Sequence, residues 1–145
     1  MRLCCGAALL RMRAPCSLRP ARPVLPRLSY MQNGTRLAAL DLGSNSFRLE
    51  IGRYDNQQII RTDYLKETVR QGGGLDADRN LSLEAMQRGW DCLARFGERL
   101  AGFAPSQVRA VATQTLREAR NRTVFLEQAQ QLLGFPIEVI SGPEE

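Results

Sequence analysis

The alternation of apolar and polar positions after residue 36 predicts three consecutive antiparallel strands. An apolar run over residues 37–40 predicts the first strand, and alternation over residues 47–54 predicts the second. A polar turn at residues 55–57 leads into a third alternating stretch, residues 58–69. The short polar connections make each neighbouring pair of strands a hairpin.

A helical period replaces this alternation in the second half of the chain. Ser82 is typical of a helix N-cap, and the residues after it predict a long helix that ends near residue 100. The apolar residues that follow the three-four spacing of one buried face are Met86, Trp90, Leu93, Phe96 and Leu100. Gly89 and Gly97 inside this helix weaken it, so we expect the helix to pack closely against the sheet at these positions.

The remaining elements alternate between strand and helix. Residues 108–112 and 137–140 predict short strands, and the stretch between them predicts a helix over residues 121–133 that ends at Gly134. The side chains that this helix is expected to bury are Phe125, Ala129, Leu132 and Leu133. We expect residues 72–74, three consecutive glycines, to form a mobile connection. They are only a weak phosphate-binding signal, because they do not open directly into a helix.

The positive net charge belongs to one segment. The chain has 145 residues and a net charge of +5, but residues 1–40 contain seven arginines and no acidic residue. Residues 41–145 contain 13 basic and 15 acidic side chains, so the part that is expected to fold is mildly acidic. This distribution argues against a nucleic-acid partner.

The cysteine and histidine content excludes several site classes. Three of the four cysteines lie in the first 16 residues, and there is no histidine. Zinc spacing, a disulfide framework and histidine catalysis are therefore excluded, and Cys92 is expected to be a small core or boundary residue. This composition indicates a reducing, cytoplasmic environment.

Residues 1–36 form a basic leader that we predict to be disordered, and residues 37–145 form part of the first lobe of a larger domain. The leader contains four prolines and no sustained apolar period. It resembles an organelle transit peptide, and its apolar stretch is too short for a convincing secretory signal. We favour a third alternative, in which Met31 is the true start. No run of residues is long and apolar enough to span a bilayer.

The turn between the first two strands has the composition of a phosphate-binding loop. Gly43 permits a close approach of the main chain, and the three residues after it offer hydroxyl, amide and main-chain donors. A concave cluster of donors suits an anionic phosphate oxygen. Asp41 would repel phosphate unless a divalent cation lay between them, which predicts Mg²⁺ at this carboxylate, directly or through water. The alternative is an ordinary hairpin turn, since these residues are common turn formers.

Two further segments follow strands at the edge of the sheet where α/β proteins bind ligands. Arg117 lies in the polar stretch after the strand at residues 108–112 and is a candidate phosphate ligand; the alternative is a solvated or ion-paired surface arginine. Glu144 and Glu145 follow the last strand behind Ser-Gly-Pro, which is typical of the start of a helix. These carboxylates either complement the helix dipole or face the ligand.

The order of elements resembles an α/β fold, the ribonuclease-H-like half-domain of the actin, Hsp70 and sugar-kinase superfamily, truncated before its last helix. Three segments resemble one branch, the exopolyphosphatase and guanosine pentaphosphate phosphohydrolase (Ppx/GppA) family. They are Asp-Leu-Gly-Ser-Asn-Ser-Phe at 41–47, Thr-Gln-Thr-Leu-Arg at 113–117 and Ile-Ser-Gly-Pro-Glu-Glu at 140–145. The second phosphate loop of that family, Asp-x-Gly-Gly-Gly-Ser, would lie beyond residue 145, so we expect the chain to be inactive alone and to expose one face of its sheet.

The resemblance implies roles for individual residues. The expected phosphate ligands are Gly43, Ser44, Asn45 and Ser46. Asp41 would lie beside the divalent cation, Arg117 would lie in the active-site cleft, and Glu145 would be the base that activates water. Phosphoryl transfer depends mainly on positioning and charge neutralisation, which these groups suit.

The resemblance also implies an activity. We expect a hydrolase that releases terminal orthophosphate from inorganic polyphosphate, with guanosine pentaphosphate as the alternative substrate. A module that senses polyphosphate or guanosine alarmones without catalysis is a further alternative, and so is an ATP-binding kinase or chaperone relative. The family resemblance implies a homodimer when the protein is full length. It also implies a cytoplasmic location, with peripheral attachment to the inner membrane as an alternative.

Overall fold

A computed structural model describes residues 31–144. The predictions for residues 1–30 and for Glu145 lie outside this range. The strands are β1 (Arg36–Leu42), β2 (Ser46–Asp55), β3 (Gln58–Thr68), β4 (Val108–Ala112) and β5 (Ile137–Val139). The helices are α1 (Leu83–Arg99), α2 (Gln114–Glu118) and α3 (Arg122–Leu133). Short 3-10 turns occupy Gly72–Gly74, Pro105–Gln107 and Gly142–Glu144.

Within the described residues the strands form one sheet in the order β3-β2-β1-β4-β5. The first three strands are antiparallel neighbours, whereas β4 lies parallel to β1 and β5 lies parallel to β4. This arrangement confirms the three predicted strands, the two crossovers and the predicted fold class. Residues 34 and 35, which the sequence assigned to the leader, already bond to β2: Gly34 donates its N–H to the Tyr54 carbonyl, and Tyr54 donates its own to Thr35.

Helices α1 and α3 lie on the same face of the sheet. Both belong to crossovers that advance in one direction along the sheet, and right-handed crossovers then place their helices on one side. The core side chains of the strands alternate with exposed ones, so that Leu40 and Leu42 are buried while Ala39 is exposed. The opposite face therefore has no helix over it within residues 31–144.

The glycines of α1 pack against α3, not against the sheet as the sequence predicted. A Cβ at Gly89 would lie 2.7 Å from the Phe125 ring, and one at Gly97 would lie 2.6 Å from the Leu132 carbonyl oxygen. The Trp90 indole donates a hydrogen bond to the Phe125 carbonyl at 3.0 Å and its ring stacks on the Phe125 ring. The two helices thus share the tight contact that the glycines permit.

Other helix predictions are mostly confirmed. Ser82 caps α1 by accepting a hydrogen bond from the Ala85 N–H, and Gly134 ends α3 in the left-handed conformation with φ of 82°. Leu132 is a wrong prediction, because its side chain lies at the boundary of the exposed class, at 36% exposure. No helix in the described part of the chain has the length and apolar character needed to cross a membrane.

Candidate active site

The three motif segments meet at one edge of the sheet. Strands β1 and β4 are parallel, so the turn after β1 and the helix α2 after β4 emerge side by side. The Thr113 N–H donates to the Leu42 carbonyl at 3.3 Å, which joins these two segments directly. The third segment joins through the Ile140 N–H, which donates to the Ala112 carbonyl at 3.0 Å. Their common placement is what the phosphate-site hypothesis requires.

The turn after β1 is tight, and its amide groups are not consumed by the fold. A Cβ at Gly43 would lie 2.9 Å from the Ser46 carbonyl oxygen, so a larger residue would force the turn open. Within residues 31–144, no hydrogen bond uses the main-chain N–H of Gly43, Ser44 or Asn45. Ser46 begins β2 and is buried. The turn therefore offers donors to an incoming anion while the Ser44 and Asn45 carbonyl groups are already engaged.

Residues 69–72 hold those carbonyl groups. The Asn45 carbonyl accepts hydrogen bonds from the N–H groups of Val69 at 3.0 Å and Arg70 at 2.8 Å. The Ser44 carbonyl accepts from the Gly72 N–H at 2.8 Å. Because one side of each peptide unit is fixed in this way, the turn at residues 43–46, the candidate phosphate loop, is braced before any ligand binds.

Residues 72–74 are a hydrogen-bonded 3-10 turn instead of the mobile connection that we expected. A Cβ at Gly72 would lie 3.3 Å from both Ser44 Cβ and Thr115 Oγ1, and one at Gly74 would lie 2.2 Å from Ala85 Cβ. The Gly74 carbonyl accepts the Ser82 N–H at 2.8 Å. Gly72 and Gly74 thus let the main chain pass between the phosphate loop, α2 and α1, a tertiary constraint that no local pattern reveals.

Arg117 lies in the last turn of α2 and reaches the third segment. Its Nη1 donates to the Ile140 carbonyl at 3.1 Å, and its Nη2 would lie 3.9 Å from a Cβ at Gly142. Its own carbonyl accepts a hydrogen bond from the Arg122 guanidinium at 2.9 Å. The half-buried guanidinium is therefore held at the edge that carries the phosphate loop.

Asp41 lies on the face of the sheet that carries no helix in residues 31–144. Its carboxylate is 4.0 Å from the Arg48 guanidinium on the paired strand, and its side chain is 43% exposed. The described residues contain no group of three or more acidic, cysteine or histidine side chains that could hold a metal. A single exposed carboxylate beside a phosphate loop still fits Mg²⁺, which keeps several waters and uses one or two carboxylates together with substrate phosphates.

Sequence reasoning missed Arg48. The alternation of β2 places it on the same face as Asp41, but only the cross-strand register, Asp41 opposite Arg48, shows that they meet. It also missed Gln71, whose side chain is completely buried with neither its nitrogen nor its oxygen hydrogen-bonded within residues 31–144.

The only cysteine among residues 31–144 lies outside this site. Burial, with the nearby Glu67 carboxylate, raises the pKa of the Cys92 thiol to about 12, so the thiol stays protonated. Arg95 hydrogen-bonds the Glu67 carboxylate and lowers its pKa. Cys92 is thus the core residue that the sequence predicted, without nucleophilic character.

Residues 51–145 match the model of the Ppx/GppA phosphatase family. Over 108 residues the chain is 53% identical to the guanosine-5'-triphosphate,3'-diphosphate pyrophosphatase of Vibrio parahaemolyticus, covering 74% of this chain and 22% of that protein. The enzyme of the same name from Vibrio vulnificus is 48% identical over 118 residues, which cover 81% of this chain and 24% of that protein. The chain thus spans about a quarter or less of these relatives' length.

Solved structures share the fold. An exopolyphosphatase from Cytophaga hutchinsonii superposes with a TM-score of 0.70 at 29% identity, covering 77% of this chain and 36% of that one. A PPX-GPPA enzyme from Aquifex aeolicus superposes with a TM-score of 0.69 at 27% identity, covering 76% of this chain and 37% of that one.

Proposed function

Since the chain belongs to the Ppx/GppA phosphatase family, we propose that the full-length protein hydrolyses the terminal phosphoanhydride bond of guanosine 5'-triphosphate 3'-diphosphate. The relatives at 53% and 48% identity carry this substrate in their names. They favour guanosine pentaphosphate over inorganic polyphosphate, which reverses the order of the two substrates that the sequence suggested.

The observation that carries this proposal is the turn at residues 43–45, whose three unused N–H groups lie at the same edge of the sheet as the Arg117 guanidinium. Such donors bind the oxygens of the terminal phosphate, and they cost little reorganisation because residues 69–72 already hold the loop. Arg117 then neutralises charge that develops on the transferred group. Glu145, in its proposed role, accepts a proton from the attacking water, a contribution of about 10²- to 10⁴-fold for a general base.

The proposal includes Mg²⁺, with the Asp41 carboxylate as its protein ligand. Bound there through water, the ion would reduce the repulsion between this carboxylate and the phosphate oxygens. Arg48 competes for the same carboxylate at 4.0 Å, so the metal and the arginine are expected to share it. Asp41→Asn in the full-length protein is expected to raise the Mg²⁺ concentration needed for half-maximal activity.

The direct test is a comparison of kcat/KM for guanosine pentaphosphate and for polyphosphate, measured as orthophosphate release by the purified full-length protein. We expect the guanosine nucleotide to be preferred. A clear preference for polyphosphate would overturn the substrate assignment. If neither guanosine pentaphosphate nor polyphosphate released orthophosphate, the proposed hydrolase activity would be contradicted.

Polyphosphate hydrolysis is the second candidate, because the chain superposes on an exopolyphosphatase with a TM-score of 0.70. A sensing module without turnover is the third, and Glu145→Gln separates it from an enzyme. In an enzyme this change abolishes turnover and preserves substrate affinity. A sensor has no turnover to lose. The predicted homodimer and cytoplasmic location remain predictions, and nucleic acid is not a proposed partner.

A further inference from the structure

A second basic cleft lies beside the phosphate loop. It has a volume of about 520 Å³ and is lined by Thr68, Val69, Arg70 and Arg88. Thr68 pairs with Ser46 across the β2–β3 ladder, so the cleft begins about 4.8 Å, one strand spacing, from the loop. The cleft is open to solvent, so an anionic group can reach both of its arginines.

The two arginines of this cleft carry uncompensated charge. Neither forms a salt bridge with a carboxylate anywhere in the described part of the chain, although seven other arginines there do. Arg88 is held in place instead by main-chain carbonyls, since its Nε donates to Val69 at 2.9 Å and its Nη2 to Arg70 at 3.5 Å. A guanidinium has five N–H donors, so donors remain on Arg88 for an anion.

The main chain at Arg70 is strained. Its φ is 52°, in the left-handed region that is unfavourable for a non-glycine residue. Among residues 31–144, the other non-glycine residues with positive φ lie in turns: Asn56, Gln57 and Arg79. Strain of this kind persists where surrounding bonds over-determine it, and it clusters at ligand clamps. Here the Asn45 carbonyl, which accepts the Arg70 N–H at 2.8 Å, couples the strained residue to the phosphate loop.

We propose that Arg70 and Arg88 form a second anion subsite, which binds a diphosphate group of the substrate distant from the phosphate that is released. The subsite rests on the proposed function, because a substrate with two separate anionic groups is what it would recognise. That diphosphate is either the 3'-diphosphate of the guanosine nucleotide or an internal pair of phosphates in polyphosphate. Guanidinium groups bind such oxygens through paired, charge-assisted hydrogen bonds.

The test uses Arg70→Gln in the full-length protein, since Arg88 also supports main-chain carbonyls. We expect this change to lower the ratio of kcat/KM for guanosine pentaphosphate to kcat/KM for GTP by about tenfold, the effect of one charge-assisted contact. GTP lacks the 3'-diphosphate and serves as the internal reference. Arg70→Lys is expected to recover most of the ratio. The matched control, Arg99→Gln, removes the same charge at the far end of α1 and is expected to leave the ratio unchanged.

Two results would contradict the proposal that Arg70 and Arg88 bind a diphosphate group of the substrate. One is an unchanged ratio together with an unchanged dependence of kcat/KM on polyphosphate chain length. The other is an equal loss for guanosine pentaphosphate and GTP, which would mean that Arg70 only supports the loop. If instead the ratio is unchanged and Arg70→Gln removes the preference for long polyphosphate over short, the bound diphosphate belongs to polyphosphate.

A separate measurement distinguishes failure of the subsite from failure of the proposed hydrolase activity. If the wild-type protein releases no orthophosphate, calorimetric titration with inorganic pyrophosphate decides the subsite by itself. Weaker binding of pyrophosphate to Arg70→Gln than to Arg99→Gln supports the subsite, and equal binding to both variants rejects it.

Discussion

The α1–α3 interface and the motif-bearing edge of the sheet differ in whether their polar groups are hydrogen-bonded and whether their backbone is strained. At the interface the Trp90 N–H has its acceptor, and Gly89 and Gly97 let the helices approach closely. Beside the edge, Arg70 has a strained backbone. The next residue, Gln71, buries its side chain without a hydrogen-bond partner in residues 31–144, with its amide nitrogen 3.4 Å from the Cβ position at Gly89. The difference indicates that the interface supplies stability, whereas the edge keeps donors and strain for a ligand.

The largest expected effect belongs to the edge. Arg117→Lys in the full-length protein keeps the charge but loses the planar fork that reaches toward the third segment, and Arg117→Ala loses both. We expect Arg117→Ala to lower kcat by about 10²- to 10³-fold, as loss of one oxyanion donor does. Lysine should recover a part of this loss.

Arg122→Ala is the matched control for that measurement. It removes a nearby guanidinium whose hydrogen bond is to the Arg117 carbonyl, not to the third segment. An Arg117→Ala enzyme that is as active as Arg122→Ala would contradict a role for Arg117 in the reaction.

The second prediction concerns the interface. Gly97→Ala places a methyl group 2.6 Å from the Leu132 carbonyl oxygen, which neither helix can avoid without moving. We expect it to lower the free energy of unfolding by about 1–3 kcal/mol, the usual cost of overpacking. Urea unfolding followed by circular dichroism measures this. Gly73→Ala is the control, because a Cβ there has no atom within 4 Å, and a similar loss in both variants would contradict the close-packing account.

The third prediction concerns the buried Gln71 amide, which has no hydrogen-bond partner in residues 31–144. Gln71→Leu replaces a buried amide that lacks a partner by an apolar side chain of similar size, so we expect the free energy of unfolding to rise by about 1–2 kcal/mol. Gln130→Leu is expected to lower the free energy of unfolding instead, because the Gln130 Oε1 accepts the Ile137 N–H at 2.9 Å. A loss of stability in Gln71→Leu would show that its amide has a partner such as a buried water.

The smallest expected effect comes from a surface ion pair that belongs to neither region. Arg95 lowers the pKa of Glu67, so the pair stabilises the fold above the pKa of an unfolded glutamate and loses that contribution as the pH falls through the lowered value. Both side chains are partly exposed, so Glu67→Gln is expected to cost less than about 1 kcal/mol at pH 7. The difference between wild type and variant should vanish in unfolding curves measured near pH 2, and a constant difference would contradict the ion-pair origin.

Local pattern was sufficient for the five strands, for α1 and α3, and for the meeting of the motif segments at one edge of the sheet, but it did not predict α2. Alternation on both sides of the turn at residues 43–46 predicted the hairpin, and parallel strand ends predicted that Arg117 would lie near it. Local pattern was insufficient wherever a contact joins distant parts of the chain. The packing partner of Gly97 and the bracing role of Gly72 depend on which elements meet in the folded molecule, and the pairing of Asp41 with Arg48 depends on strand register.

The central claim is that the unused N–H groups of residues 43–45 bind substrate phosphate beside Arg117. A crystal structure of the full-length Glu145→Gln variant with guanosine pentaphosphate and Mg²⁺ tests it most directly. We expect oxygens of the terminal phosphate within about 3 Å of the Ser44 and Asn45 nitrogens and of the Arg117 guanidinium. A terminal phosphate bound elsewhere, with these N–H groups facing only solvent, would contradict the account.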